Sequence, residues 1–72
     1  MPPSTNHSIS KVVRDLRKQH GISQMELANV AGVSLPSVTR IEGGKATIRL
    51  DVLVKVLDAL GYTLTIQQKV KA

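Results

Sequence analysis

The side chains that could take part in chemistry are mostly basic, and they are not arranged for catalysis. Ten Lys and Arg stand against five Asp and Glu in 72 residues, a formal net charge of +5. The two histidines, His7 and His20, have no carboxylate or cysteine at the spacing of a metal site or a catalytic triad. The pair Gly43-Gly44 precedes a lysine but follows a predicted helix, whereas a phosphate-binding loop follows a strand. We therefore predict a binding protein, not an enzyme, with no metal or cofactor.

The composition narrows the class of partner. An excess of positive charge on a small surface suits a polyanion, although a basic surface can also simply aid solubility. The chain has one Tyr and no Trp or Phe, so it lacks the side chains that stack on the bases of single strands and RNA loops. No apolar run is long enough to span a bilayer, and the N-terminal stretch has no signal-peptide core. We expect one small cytoplasmic domain with no membrane partner.

The stretch SQMELANVAGVSLPSVTRIE, which starts at Ser23, predicts two short helices joined by a tight turn. Ser23 can cap the first helix, and Glu26 three residues later completes a capping box. Gly32 supplies the left-handed conformation that the turn needs, and Ser34 can cap the second helix. Two short helices joined in this way form the helix-turn-helix that reads DNA.

Apolar residues at helical spacing predict one further helix on either side of this pair. The first starts at Ser8 or Ser10 and ends before Gly21, and the last runs from about Leu50 to Leu60. The predicted apolar stripes are Ile9, Val12, Val13 and Leu16 in the first helix, and Leu50, Leu53, Val54, Leu57 and Leu60 in the last. The central pair should add Leu27, Ala28, Ala31, Val38 and Ile41 to the core.

The two ends of the chain differ from the predicted domain at 8–61. Residues 1–7 contain two prolines and polar residues, and we expect a flexible arm. In 62–72 the segment YTLTIQQ alternates apolar and polar residues and predicts the single strand of the chain. A lone strand leaves its backbone groups unpaired, so we predict that it pairs with the same strand of a second copy; a frayed tail is the alternative. The predicted dimer interface comprises Tyr62, Leu64 and Ile66.

The sequence GISQMELANVAGVSLPSVTRIEGGKA resembles the helix-turn-helix of the phage repressor and Cro family, called the XRE family in bacteria. The match includes Gln24 after the cap, Gly32 in the turn and the run Arg40-Ile41-Glu42, and the family core covers roughly Ile9 to Leu60. The resemblance implies an all-α, lambda-repressor-like domain of about four helices, to which the predicted strand is added. Arg49 stands where the family usually has a Ser or Thr cap, which leaves the start of the last helix open.

The resemblance also implies which residues touch double-stranded DNA. The second helix of the pair would lie in the major groove, where Arg40 can bond a guanine and Leu35 and Pro36 can pack on thymine methyls. The family's base-contacting positions match Ser34, Leu35, Pro36, Thr39 and Arg40, and the expected phosphate contacts are Gln24, Ser37, Lys45 and Arg49. An Arg and a Glu at the family positions of Arg17 and Glu42 form a partly buried ion pair; without the resemblance, two solvated side chains would be the simpler interpretation.

A short domain followed directly by one strand is similar to the layout of HipB-type antitoxins. The resemblance implies a dimer that binds operator DNA and a HipA-type kinase toxin. We therefore predict a sequence-specific repressor that binds a palindromic duplex as a homodimer and regulates its own operon. A stand-alone XRE-family regulator without a toxin, and an antitoxin that acts only by sequestering its toxin, are the alternatives.

Overall fold

The computed structural model describes residues 5–44 and 47–65, and in these residues the chain forms four α-helices. They are α1 (Thr5–Gln19), α2 (Gln24–Ala31), α3 (Leu35–Glu42) and α4 (Leu50–Ala59). The predicted all-α domain of about four helices is therefore confirmed. Within the described ranges, none of the helices is both long and apolar enough to cross a membrane.

The start of α1 differs from the prediction. The helix begins at Thr5, ahead of both Ser8 and Ser10, so it includes part of the segment 1–7 that we expected to be a flexible arm. Residues 5–8 contain no Gly or Pro, and nothing in their sequence stops a helix from extending through them. Ser10 is buried inside α1, and its hydroxyl donates to a distant carbonyl instead of capping the helix.

Local hydrogen bonds determine how α2 and α3 begin. The Ser23 hydroxyl accepts from the Glu26 N–H at 3.0 Å, and the Ser23 N–H donates to Glu26 Oε1 at 2.9 Å, which is the predicted capping box. Gly32 ends α2 with a φ of 73°, a conformation that costs a side-chain-bearing residue energy. Ser34 Oγ then accepts from the Ser37 N–H at 3.2 Å and starts α3. The helix-turn-helix geometry therefore follows from contacts between residues close in sequence.

The core lies where all four helices meet. Its buried residues are Val13, Leu16, Leu27, Ala28, Val38, Ile41, Leu53, Val56 and Leu60. Most of the predicted core of α2 and α3 is buried as expected, while Ala31 is only partly buried and packs at the edge. Because Ala28 is small, α2 and α3 can approach closely at this point.

The apolar stripes of α1 and α4 are rotated from the predicted ones. Val12, Leu50 and Val54 are 50%, 60% and 45% exposed, whereas Val56, which the prediction omitted, is fully buried. Most residues of α4 are apolar, so spacing alone does not determine which of them face inward. The buried residues of α4 are Leu53 and Val56, and Leu60, directly after the helix, is buried as well.

After α4 the chain turns at Gly61 and continues without regular secondary structure through Thr65. Tyr62 and Leu64 are 52% and 40% exposed, and Ile66 lies outside the described residues. A strand that pairs only with a second copy has no partner within one chain. The intersubunit ribbon therefore stays a prediction.

Candidate nucleic-acid interface

The side of α3 that faces away from the core carries the residues predicted to contact bases. Val38 and Ile41 are 0% and 2% exposed and anchor the inner side of the helix. The helical repeat then places Pro36, Thr39 and Arg40 on the opposite side. Ser34, Pro36, Thr39 and Arg40 are exposed and Leu35 is half-buried. Pro36, Thr39 and Arg40 therefore share the outward side of α3, and Ser34 and Leu35 lie at its start.

The hydroxyl groups of this surface are hydrogen-bonded within the protein, whereas Arg40 is open. Ser34 Oγ and Ser37 Oγ lie 2.8 Å apart, and Thr39 Oγ1 donates to the Pro36 carbonyl at 2.9 Å. A hydroxyl that donates keeps its acceptor lone pairs, so Thr39 can still accept from a base amino group. Arg40 has no hydrogen-bond or ion-pair partner among the described residues. Its guanidinium donors are therefore free for a bidentate contact with guanine.

A shallow groove separates α3 from the segment that leads into α4. Its lining residues are Ser37, Arg40, Ile41, Thr47, Ile48, Arg49 and Val52. The predicted base contact Arg40 and the predicted phosphate contacts Ser37 and Arg49 thus border the same groove. Lys45, the remaining predicted contact of this segment, lies outside the described residues.

Arg49 occupies the position before α4, but its side chain does not cap the helix. The Arg49 Nε–H donates to Asp51 Oδ1 at 3.2 Å, and an Nη2 hydrogen bonds Asp51 Oδ2 at 3.0 Å. Both side chains are open to solvent, at 76% and 56% exposure. The sequence analysis did not predict this pairing, although the two residues lie only two positions apart.

The side chain of Gln24 is directed toward Glu42, although Gln24 was predicted to contact a DNA phosphate. Its side chain is half-buried, and Nε2 donates to Glu42 Oε1 at 3.2 Å, so the amide is directed toward the end of α3. In the first turn of α2, the Glu26 N–H bonds the Ser23 hydroxyl and the Leu27 N–H bonds the Ser23 carbonyl. Among the described residues, the N–H groups of Gln24 and Met25 have no hydrogen-bond partner, and they lie at the positive end of the helix dipole, which favours an anion.

Beside this helix start lies the pair formed by Arg17 and Glu42, whose side chains are 14% and 4% exposed. Arg17 Nε–H donates to Glu42 Oε2 at 2.6 Å, and Nη2 donates to Oε1 at 2.9 Å. The third guanidinium nitrogen, Nη1, donates to the Ile22 carbonyl at 2.9 Å, just before α2. Ser10 Oγ–H donates to the Glu42 carbonyl at 2.5 Å. One cluster therefore joins α1, the start of α2 and the end of α3.

Two opposing effects determine the pKa of Glu42 in this cluster. Burial alone would raise the pKa of Glu42, but the hydrogen bonds from Arg17 and Gln24 and the charges of Arg17 and Arg14 outweigh it and hold the pKa below its ordinary value. The hydrogen bond to Glu42 likewise raises the pKa of Arg17. The pair is thus charged on both sides at neutral pH. Sequence reasoning missed Ser10 and the Gln24 contact, although Ser10 shares a helix face with Arg17 seven residues later.

Comparison with known proteins identifies the class. Residues 13–67 match the family HTH_3, described as helix-turn-helix, and the chain belongs to this XRE-type family. It is 39% identical over 62 residues to an uncharacterized HTH-type transcriptional regulator, y4mF, of Sinorhizobium fredii, covering 86% of this chain and 82% of that protein. It is 46% identical over 50 residues to an uncharacterized HTH-type transcriptional regulator of Haemophilus influenzae, covering 69% of this chain but 51% of that protein.

Two further similarities concern toxin–antitoxin systems. A solved structure described as a toxin–antitoxin module from Streptococcus pneumoniae matches with a TM-score of 0.76 and 38% identity, covering 88% of this chain and 69% of that chain. Antitoxin PezA of Streptococcus pneumoniae is 33% identical over 45 residues, covering 62% of this chain and 28% of that protein. This chain is therefore a member of the helix-turn-helix family that is similar to HTH-type transcriptional regulators and to an antitoxin.

Proposed function

We propose that this protein is a sequence-specific DNA-binding repressor whose α3 lies in the major groove of its operator. The observation that carries this proposal is the outward surface of α3, which presents an open Arg40 guanidinium on a helix anchored by Val38 and Ile41. Arg40 would read a guanine, while the first turn of α2 and the groove beside Arg49 would hold phosphates on either side. A repressor of this kind acts in the cytoplasm.

We propose that the repressor acts as a homodimer on a palindromic site. One short helix offers few base contacts, whereas two copies of α3 about 34 Å apart would meet successive major grooves on one side of the duplex. The exposed Tyr62 and Leu64 support an intersubunit role for the tail, because apolar side chains there are available for burial against a second copy.

We further propose that the protein is an antitoxin that represses its own operon and binds a toxin. The similarity to antitoxin PezA and to the toxin–antitoxin module supports this role. A HipA-type kinase is the toxin that the layout of domain and tail implies. A stand-alone regulator would bind DNA but no neighbouring gene product, and an antitoxin that only sequesters its toxin would bind that product but not DNA.

Footprinting on the promoter of the protein's own gene tests the repressor. We expect protection of a palindromic site by the wild-type protein and loss of that protection with Arg40→Ala. Lys55→Ala, which removes an exposed positive charge from α4 outside the groove, is the matched control and should leave the footprint in place. A footprint together with copurification of the neighbouring gene product would indicate an antitoxin that represses its own operon. A footprint alone would indicate a stand-alone regulator, and copurification alone would indicate an antitoxin that only sequesters its toxin. No protection at any concentration, with a folded protein, would contradict the repressor.

A further inference from the structure

Asp51 forms an ion pair with a residue of the proposed DNA surface. The described residues contain three ion pairs, Lys11–Asp15, Arg17–Glu42 and Arg49–Asp51. Only the last contains a residue of the proposed DNA surface. Asp51 thus neutralises a positive charge at the place where the repressor would need it.

The geometry of this pair leaves it open to competition. Two guanidinium nitrogens of Arg49 bond the two carboxylate oxygens of Asp51, at 3.2 and 3.0 Å, in the fork arrangement that Arg also uses for phosphate. Arg49 is 76% exposed and borders the groove shared with Arg40, so a phosphate can reach the same donors. An ion pair this exposed is weak enough for another anion to displace it.

We infer that Asp51 competes with DNA phosphate for Arg49 and thereby lowers the affinity of the protein for DNA. The carboxylate and a phosphate cannot both accept from the same two N–H groups, and a negative charge at Asp51 also repels the backbone. Free protein therefore holds Arg49 in a neutral pair, and binding has to exchange one anion for the other. This inference rests on the proposed function, since it needs Arg49 to lie against DNA.

Binding to a random-sequence duplex of about 30 base pairs tests the exchange, because phosphate contacts act on any sequence. Asp51→Asn should bind about two to five times more tightly per subunit than the wild type. Its plot of log affinity against log salt should steepen by at most about 0.9 per subunit, because no carboxylate charge then offsets the charge that Arg49 brings to the phosphate. Asp58→Asn, which removes an equal and exposed charge from the same helix, is the matched control. A thermal melt of each variant checks that the fold is unchanged.

The background of Arg49→Met separates exchange from simple charge repulsion. In that background Asp51→Asn should gain clearly less affinity than it does with Arg49 present, because the fork for which Asp51 competes is gone and only charge repulsion remains. An equal gain from Asp51→Asn in both backgrounds would overturn the inference, as would weaker binding by Asp51→Asn, which would show that Asp51 orients Arg49 for DNA. If the folded wild type fails to bind any duplex, both this inference and the proposed function are wrong. If the wild type binds but Asp51→Asn binds no more tightly, only the inference about Asp51 is wrong.

Discussion

Glu42, the last residue of α3, accepts two hydrogen bonds from the guanidinium of Arg17, which lies 25 residues earlier in α1. Both side chains are largely withdrawn from water, and the remaining contacts of the cluster reach the start of α2. The position of α3 is therefore tied to α1 and α2 by one buried carboxylate.

Removing one partner of the pair should be costly. We expect Glu42→Gln or Arg17→Met to lower the free energy of unfolding by roughly 3–5 kcal/mol, because each leaves a buried polar group without its partner. Thermal and urea unfolding of both single variants and the double variant measures this loss. The double variant should lose less than the sum of the two. Two small losses that simply add would show that the pair is not coupled.

Stability should depend on pH through Glu42. Its pKa is lowered in the folded protein from an ordinary value of 4.5, so the folded state favours the ionised form. The stabilisation is then fully present above the unfolded pKa and is lost as pH falls through the folded value. The capping box, in which the Ser23 N–H lowers the pKa of Glu26, contributes in the same direction. The measurement is the difference in melting temperature between the wild type and Glu42→Gln, which should shrink as pH drops below about 4.5. A constant difference would argue against a depressed pKa.

Arg40 and Lys45 should affect DNA binding differently. Arg40→Ala should cost about 1–3 kcal/mol per contact on the operator and relax preference at one base pair in each half-site, because the bidentate contact reads a base edge. Lys45→Ala, at a predicted phosphate contact, should weaken all sequences alike and reduce the salt dependence. Titrations on operator and random duplexes distinguish the two. Equal losses on both duplexes for Arg40→Ala would remove its assigned role.

The tail prediction can be tested with neighbouring residues. Leu64 lies on the predicted apolar face and Thr63 on the opposite one, and both are exposed in the single chain. Leu64→Lys should shift the dimer toward monomer and weaken operator binding, while Thr63→Lys should do so much less. Deletion of 62–72 should leave the helices intact and weaken both properties. Sedimentation at micromolar concentration measures the mass, and a truncated protein with unchanged mass and affinity would count against a dimerising tail.

The buried face of α4 can be checked by a pair of identical substitutions. Val56→Ala should destabilise the protein by about 2 kcal/mol, because Val56 is fully buried and loses packing on all sides. Val54→Ala removes the same atoms from a side chain that is 45% exposed and should change stability by about 0.5 kcal/mol or less. Urea unfolding of the two variants is sufficient. A larger loss for Val54→Ala than for Val56→Ala would mean that α4 packs with the phase predicted from its sequence.

Whether a feature of this protein could be predicted depended on how far apart in the sequence the interacting residues lie. The caps of α2 and α3 depend on residues three apart, so Ser23, Glu26 and Ser34 were recognisable in the sequence. The buried face of α4 was not recognisable in the sequence, because most residues of this helix are apolar and the burial of Val56 depends on the other helices.

The candidate site shows the same division. The outward residues of α3 followed from its phase and from the family resemblance. The inward contact of Gln24 joins residues 18 apart, which no local pattern indicates. The pairing of Arg49 with Asp51 is local, yet it depends on side-chain rotation outside a regular helix.

The bond from the Ser10 hydroxyl to the Glu42 carbonyl has a consequence for the order of folding, because it closes a loop of 32 residues. Closing a loop of this length costs on the order of 3 kcal/mol of chain entropy, apart from a constant. Helices form locally in about a microsecond or less, so the slow event is the meeting of α1 with the end of α3. We therefore expect α2 and α3 to form early as a loosely held pair, with α3 fixed in place only when α1 docks.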